Sequence, residues 1–372
     1  MFKVLKRDEK TKARLGILKT RKGMIFTPSF FPVATQAAIK GSISEKLAEI
    51  GIEGILVNAY HLFLRPGTEI IKLSGGIHKF MNFNKTIISD SGGYQIFSLE
   101  KLRKITDEGV EFQSHLDGKT FFLTPYDVIQ IQLDIDSDVI LPLDECVKFP
   151  TSFEYAKEAN LRTINWLIKS KKFFQKYKKD GVLFFGINQG STYLDLRKIS
   201  LESIINVEVD GIALGGLSVG EPPHLRYNII HFLQEILEKK KKEFLIYFMG
   251  YGKPKDILEA ISLGVDLFDC VVPTRFARTG TVFTNEGKIV IRNAQYAKDF
   301  SPLDKNCSCF VCRNYTRAYL RHLLNAKEIN AAVLLTYHNL FWYQRFIEKV
   351  REAISCGKFL EFKEEFIAKF KE

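Results

Sequence analysis

The chain has 372 residues, 46% of them hydrophobic and 26% charged, ample for one large core; α/β barrels commonly run past ~250 residues as one unit. No run of 18 apolar residues occurs, and the opening MFKVLKRDEKTKARLG lacks the apolar stretch of a leader, so neither a membrane span nor export is expected, and a cytoplasmic protein is. An excess of 54 Lys+Arg over 43 Asp+Glu gives a formal charge of +11, which favours a polyanionic partner and nucleic acid first, while six cysteines are too few for a disulfide scaffold and suit a reducing compartment.

Taken in order, Ala13 to Thr20 and Gly23 to Phe26 flank an Arg-Lys-Gly turn and predict a β-hairpin that plugs or caps the main body of the fold. Short apolar runs rich in Val, Ile and Phe then alternate with longer amphipathic stretches. Eight runs end near Val33, Ala59, Ser91, Glu145, Gln189, Gly216, Gly250 and Val272, nearly continuously apolar as strands covered on both faces are. Helical spacing falls at Glu45 to Ile50, Tyr155 to Tyr177, Leu194 to Ile205, Leu225 to Glu238 and Asp256 to Leu263. The pattern predicts an α/β fold, a (β/α)8 or TIM barrel, with residues 1–372 forming one domain. Lysine clusters at Lys239 to Lys242 and Lys169 to Lys179 read as solvated helix faces. From Thr279 to about Asn314 the repeat breaks: a hairpin around Asn285-Glu286-Gly287 leads into a cysteine cluster before helical periodicity resumes near Arg317. Residues 279–340 are thus expected to form a subdomain inserted between strand eight and the closing helices.

Barrel chemistry gathers at the C-terminal ends of the strands. Those ends carry Asn58, the string Ser89 to Gln95, Asp144-Glu145-Cys146, Asn188-Gln189-Gly190, Gly215-Gly216-Leu217, Met249-Gly250 and Asp269-Cys270. Asp90, Asp144 and Asp269 come from three strands and are expected at one mouth. Converging aspartates suit either a divalent metal or glycosidic chemistry, in which one carboxylate attacks the anomeric carbon and another manages protons. The glycine pairs 92–93 and 215–216 let a flat ring approach backbone, Tyr94 and Met249 are placed to sandwich it, and Gln189, Asp144 and free amides to read its edge. Strand-end capping for the aspartates and core packing for Tyr94 and Met249 are the bland alternatives. Cys307, Cys309 and Cys312 lie within six residues, and His338 on the next helical region completes a tetrahedral zinc set with no open position, hence structural.

The strings SDSGGYQ (Ser89 to Gln95), LDEC (Leu143 to Cys146), GGLSVGE (Gly215 to Glu221), YFMGYGKP (Tyr247 to Pro254) and LFDCVVPTR (Leu267 to Arg275), with the Cys-His set, together resemble the bacterial tRNA-guanine transglycosylases of the queuine tRNA-ribosyltransferase family. The resemblance runs in order over almost the whole chain. It implies exchange of guanine at position 34 of GUN-anticodon tRNAs (those for Asp, Asn, His and Tyr) for preQ1, 7-aminomethyl-7-deazaguanine. It further implies Asp269 as the nucleophile at C1′ of the ribose and Asp90 as the general acid/base. Asp269, ionised at neutral pH, is expected to need placement alone, and burial or a neighbouring anion to raise Asp90.

The same resemblance assigns the base pocket to Ser91, Tyr94, Asp144, Gln189, Gly215, Gly216, Leu217, Met249 and Gly250, with Glu221 beneath the Leu217-Ser218 peptide. It assigns the tRNA anticodon loop to Lys253, Asp256, Arg275 and Arg278, the arginines one short loop after Asp269, where salt bridging within the loop is the alternative role. It implies one structural zinc per chain and a homodimer with Tyr319 and His322 at the interface. Val219 favours preQ1 over the bulkier queuine, which stays the alternative incoming base, and no RNA-binding domain is expected after the barrel. Cys146 reads as a packing residue, and His61 and His115 as structural members of the family strings around them. Ala59, Tyr251 and Phe276-Ala277 depart from the family pattern. A catalytically silent tRNA-binding subunit and a metal-dependent barrel hydrolase are the competing readings.

Overall fold

The computed structural model describes residues 2–98, 103–240 and 242–371. Eight parallel strands close into a barrel: Ser29–Ala34, Gly54–Asn58, Thr86–Asp90, Val139–Ile140, Leu183–Asn188, Gly211–Leu214, Leu245–Phe248 and Leu267–Cys270, hereafter strands one to eight. Strand eight pairs with strand one (Leu267 beside Ser29, Asp269 beside Phe31), and Val139 beside Ile88 joins strands three and four. The strands are buried almost throughout, as burial on both faces requires of a parallel sheet wrapped in helices. Phe31, Leu56, Ile88, Leu141, Phe185, Tyr247 and Leu267 fill the interior, and a second apolar layer lies between strands and helices.

The expected helices form as Ser44–Ile50, Phe153–Tyr177, Leu194–Asn206, Pro223–Glu238 and Pro254–Ser262. The N-terminal hairpin is larger than its sequence pattern suggested. Phe2–Arg7 pairs antiparallel with Arg14–Thr20, which pairs with Gly23–Thr27, making three strands. This sheet closes the N-terminal end of the barrel. Phe2, Leu18 and Ile25 join the interior cluster, while Arg14 pairs with Asp266 (2.6 Å), Arg21 with Asp138 (2.5 Å), and Thr20 Oγ1 lies 2.8 Å from Thr86 Oγ1. Asp266, Asp138 and Thr86 all stand at strand beginnings, so the opposite end remains open.

Three further features depart from the sequence reading. Residues 103–123 form an unexpected antiparallel sheet of Arg103–Ile105, Val110–Gln113 and Thr120–Leu123, whose strands of three or four residues are too short to show a period. It leads into the helix Pro125–Ile135, opened by a reciprocal capping box between Thr124 and Asp127. Strand eight stops at Cys270, not near Val272, because Val272–Thr279 is helical: Pro273 presets its first turn and Gly280, at φ +91°, ends it. Arg275 and Arg278 therefore ride on a helix and not in a loop.

Beyond it, Thr281–Thr284 and Gly287–Val290 form the expected hairpin, and helices Phe310–Asn314, Arg317–Asn325, Ile329–Ser355 and Phe359–Lys369 follow. Of the lysine clusters, Lys241 lies outside the described residues; no described helix is long and apolar enough to cross a membrane.

Candidate active site and metal centre

The open end of the barrel holds a cavity of about 440 Å³. Asp90, Ser91, Tyr94, Asp144, Gln189, Gly215, Gly216, Leu217, Met249, Gly250 and Asp269 all line it, and Arg275 stands at its rim. Glu221 lies behind the wall. Lys253, Asp256 and Arg278 are outside the cavity.

Strand register explains how each carboxylate is held. Asn58 sits beside Asp90 on the neighbouring strand and donates its Nδ2 to Oδ2 at 2.6 Å, while the Ala59 and Gly92 amides reach Oδ1 at 3.1 and 3.2 Å. Tyr247 lies beside Leu267, and its hydroxyl reaches across to Asp269 Oδ1 at 2.6 Å; the Gly250 amide donates to the same oxygen at 2.8 Å. Asp269 Oδ2 receives no hydrogen bond among the described residues. Asp144 accepts from Ser91 Oγ (2.8 Å) and Gln189 Nε2 (2.7 Å).

All three carboxylates are buried and meet only neutral donors. Desolvation outweighs the Ala59 and Gly92 amides and, with the nearby Asp269 charge, pushes Asp90 up to about 7. Burial also pushes Asp269 up to about 6 against the Tyr247 and Gly250 hydrogen bonds. Asp269 thus lies above the ordinary carboxylate value that the sequence reading assumed, while remaining mostly ionised at pH 7. Asp144 is raised by burial too.

The glycines are required by close approach. A Cβ on Gly93 would lie 2.4 Å from Asp144 Oδ1, and one on Gly216 (φ +62°) 2.2 Å from Gln189 Oε1, a buried acceptor without a partner among the described residues. Tyr94 is 56% exposed, so it is no core residue, whereas Met249 is half-buried against the barrel interior and also faces the cavity. Glu221 accepts the Ser218 amide (2.5 Å) and the Val219 amide (2.9 Å), with Arg226 Nε 3.3 Å from the same carboxylate. Asp256 accepts from Tyr227 Oη at 3.3 Å. Arg275 and Arg278 are exposed and make no ion pair among the described residues, and Arg278 Nε donates to the Thr274 carbonyl at 3.2 Å.

Cys146 is buried and pushed up to about 12 by desolvation, an inert thiol. His61, read as structural, faces the cavity, and His115 Nδ1 lies 3.0 Å from the Tyr60 hydroxyl. Of the departures from the family pattern, Ala59 serves Asp90 through its backbone, Tyr251 stacks on Phe248 (4.1 Å) and Phe276 on Phe283 (5.9 Å). Sequence reasoning overlooked Tyr247 and Arg197. Tyr247 hides in an apolar strand, and its signal was alternation: it shares the inward face with Asp269 across one strand. Arg197, on the helix after strand five, gave none.

Cys307, Cys309, Cys312 and His338 bring their ligand atoms within 4.8 Å of one another, with His338 Nδ1 3.9, 3.4 and 3.4 Å from the three sulfurs in turn. Tetrahedral zinc at ~2.3 Å to sulfur and ~2.0–2.1 Å to nitrogen needs an N to S edge of about 3.6 Å, so the donors fit it. The Phe283 carbonyl, 2.8 Å from Nε2, fixes the tautomer that turns Nδ1 to the thiols, and hydrogen bonds from Cys307 and Cys312 pull the Cys309 thiol down from its ordinary value. Among the described residues this is the one such group able to hold a metal; the three aspartates do not gather so.

A parallel barrel with paired carboxylates at its mouth and a glycine-lined slot beside them belongs with the glycosyl-transfer enzymes. A family model described as Queuine tRNA-ribosyltransferase matches residues 8–372. The chain is 52% identical over 369 residues to the queuine tRNA-ribosyltransferase of Caldanaerobacter subterraneus subsp. tengcongensis, covering 99% of this chain and 97% of the relative. It is 49% identical over 381 residues to that of Aquifex aeolicus, covering 100% and 99%. The chain belongs to the queuine tRNA-ribosyltransferase family and is an enzyme of the tRNA-guanine transglycosylase type, a pentosyltransferase.

Proposed function

We propose that the enzyme exchanges guanine at position 34 of GUN-anticodon tRNAs for preQ1 by double displacement. Asp269 Oδ2 attacks C1′ of the ribose; the bond from C1′ to N9 breaks, its electron pair passes to the purine, and Asp90 delivers the proton. The incoming base then attacks C1′, returns its N9 proton to Asp90 and frees Asp269. Two displacements at one carbon retain configuration. The observation that carries this reading is the unequal treatment of Asp269, with Oδ1 held by two donors and Oδ2 left without one.

Ser91, Asp144, Gln189 and the Gly215-Gly216-Leu217 backbone read the base edge, Tyr94, Met249 and Gly250 contact its faces, and Glu221 steadies the Leu217-Ser218 peptide. Lys253, Asp256, Arg275 and Arg278 take the anticodon loop, where exposed guanidinium groups with no ion pair among the described residues suit splayed nucleotides and phosphates. Residues 279–340 form a subdomain in one domain of 1–372. Cys307, Cys309, Cys312 and His338 hold one zinc, which supplies a closed structural cross-link. The enzyme works in the cytoplasm as a homodimer using the face of Tyr319 and His322. Val219 in the cavity wall favours preQ1 over queuine.

Incubation with labelled guanine and unmodified tRNA tests the reading. Label entering position 34, and an enzyme-RNA adduct on denaturing gels that Asp269→Ala abolishes, are the expected results. Full exchange by Asp269→Ala would overturn it; no exchange by the intact enzyme would favour the silent subunit.

A further inference from the structure

Arg197 projects from the first turn of helix Leu194–Asn206 under the ends of strands five and six. It is wholly buried and has no carboxylate within ion-pair distance among the described residues; Glu221 acts on it only from farther away. Its guanidinium is surrounded by oxygen atoms instead. Nε donates to the Ser191 carbonyl (2.8 Å), Nη1 to the Asn188 carbonyl (2.7 Å), Asn188 Oδ1 (3.2 Å) and the Gly215 carbonyl (2.8 Å), and Nη2 to the Gly216 carbonyl (3.4 Å). Asn188 Nδ2 returns a bond to the Arg197 carbonyl at 2.9 Å. A buried full charge is costly, and a neutral side chain would serve one or two of these carbonyls without that cost.

The peptide geometry shows what the charge faces. In a trans peptide the C=O and N–H point in opposite directions. Holding the Gly215 and Gly216 carbonyls on Arg197 therefore turns the Gly216 and Leu217 N–H groups to the far side of the chain. Both residues line the cavity beside the Gln189 amide, and neither N–H donates to any group among the described residues.

We propose that Arg197 is a positioning residue that aims these two amides at the 6-oxo oxygen of the base and, as a fixed cation behind them, polarises them. The proposal rests on the base-exchange reading. When the bond from C1′ to N9 breaks, its electron pair spreads over the purine onto that oxygen, so donors backed by a buried charge act most strongly in the transition state.

The test uses the full-length, metal-containing enzyme and its Arg197→Lys and Arg197→Met variants, with melting curves to score folding. It measures kcat and KM for guanine, KM for tRNA, and inhibition by 2-aminopurine, which lacks the 6-oxo group. The wild type should prefer guanine to 2-aminopurine by at least about tenfold, and Arg197→Met should lose at least about tenfold in kcat/KM for guanine. Its tRNA KM should stay within about twofold while the preference for guanine narrows, Arg197→Lys lying between. Equal weakening of both bases, or a wild type indifferent to the 6-oxo group, overturns the assignment. Should Arg197→Met fail to fold, an unchanged guanine preference in Arg197→Lys overturns it as well. Failure of the wild type to exchange guanine would instead sink the exchange reading, so the two failures are distinct.

Discussion

Replacing Tyr247 by phenylalanine removes one hydroxyl from a wholly buried ring and leaves the rest of the packing intact. That hydroxyl donates to Asp269 Oδ1 at 2.6 Å and opposes the desolvation that pushes Asp269 up to about 6. A hydrogen bond to a charged group contributes roughly 1.5–3 kcal/mol, and one pKa unit corresponds to ~1.36 kcal/mol, so its loss raises Asp269 by about one to two units. The sign follows from the bond favouring the carboxylate: without it the neutral acid persists to higher pH. At pH 7 the ionised fraction, the one the proposed attack needs, falls from roughly nine-tenths to a half or less. The assay is kcat/KM for guanine exchange from pH 5 to 9 in both enzymes. Asp90, pushed up to about 7, titrates in both enzymes and is coupled to Asp269, so the two profiles are compared as a ratio at each pH and not curve by curve. The ratio of variant to wild type should be lowest in acid and climb toward one near pH 9. A ratio flat across the range, or one that falls as pH rises, refutes the role given to this hydroxyl.

Asp269→Asn keeps the acceptor toward Tyr247 and Gly250 but removes a carboxylate whose folded-state pKa is raised; such a group stabilises the fold below its ordinary value and ceases to as pH rises through about 6. The variant should unfold like wild type at pH 3.5 and be more stable at pH 8 by up to roughly 3 kcal/mol, read by urea titration; equal stability at pH 8 contradicts the buried-charge account. Replacing Arg275 and Arg278 together by alanine should raise KM for tRNA and flatten its salt dependence by ~0.7 per lost phosphate contact, leaving KM for guanine unchanged. Metal analysis should find one zinc per chain, and its removal by a chelator should lower the melting temperature by roughly 5 °C or more and expose residues 279–340 to protease. A melt unmoved by chelation would show that the Cys-His cluster carries no structural metal.

The barrel was legible because eight apolar runs alternate with amphipathic stretches, and burial on both faces of a parallel strand leaves that mark whatever the side-chain details. Asp90, Asp144 and Asp269 were legible for a related reason: a carboxylate closing an apolar run has few structural uses. Short elements were not legible. The sheet at 103–123 depends on pairing between strands of four residues or fewer, and strand Phe2–Arg7 on an interior that only the closed barrel supplies. The helix Val272–Thr279 was missed because Val271-Val272 prolongs the apolar run before Pro273, blurring the end of strand eight. Tyr247 and Arg197 act through partners 22 and 18–19 residues away, and such contacts follow from barrel register, not from local pattern.

The two ends of the barrel treat buried charge in opposite ways. At the closed end Asp266 meets Arg14, and Asp138 meets Arg21 and His78, so each carboxylate is neutralised where the N-terminal sheet seals the strands. At the open end Asp90, Asp144 and Asp269 have only amide, hydroxyl and carboxamide donors, and the nearby guanidinium of Arg197 is spent on carbonyl oxygens. An arginine beside Asp90 or Asp269 would pin it as a carboxylate far below neutrality and occupy the oxygen that has to reach substrate. Neutral donors orient the same groups while desolvation pushes Asp269 up to about 6 and Asp90 up to about 7, which suits the proposed pairing of an attacking anion with a carboxyl that holds a proton. On the proposed mechanism the missing counter-charge is therefore a physical condition for the chemistry, while the ion pairs that neutralise buried carboxylates stand at the other end of the same strands.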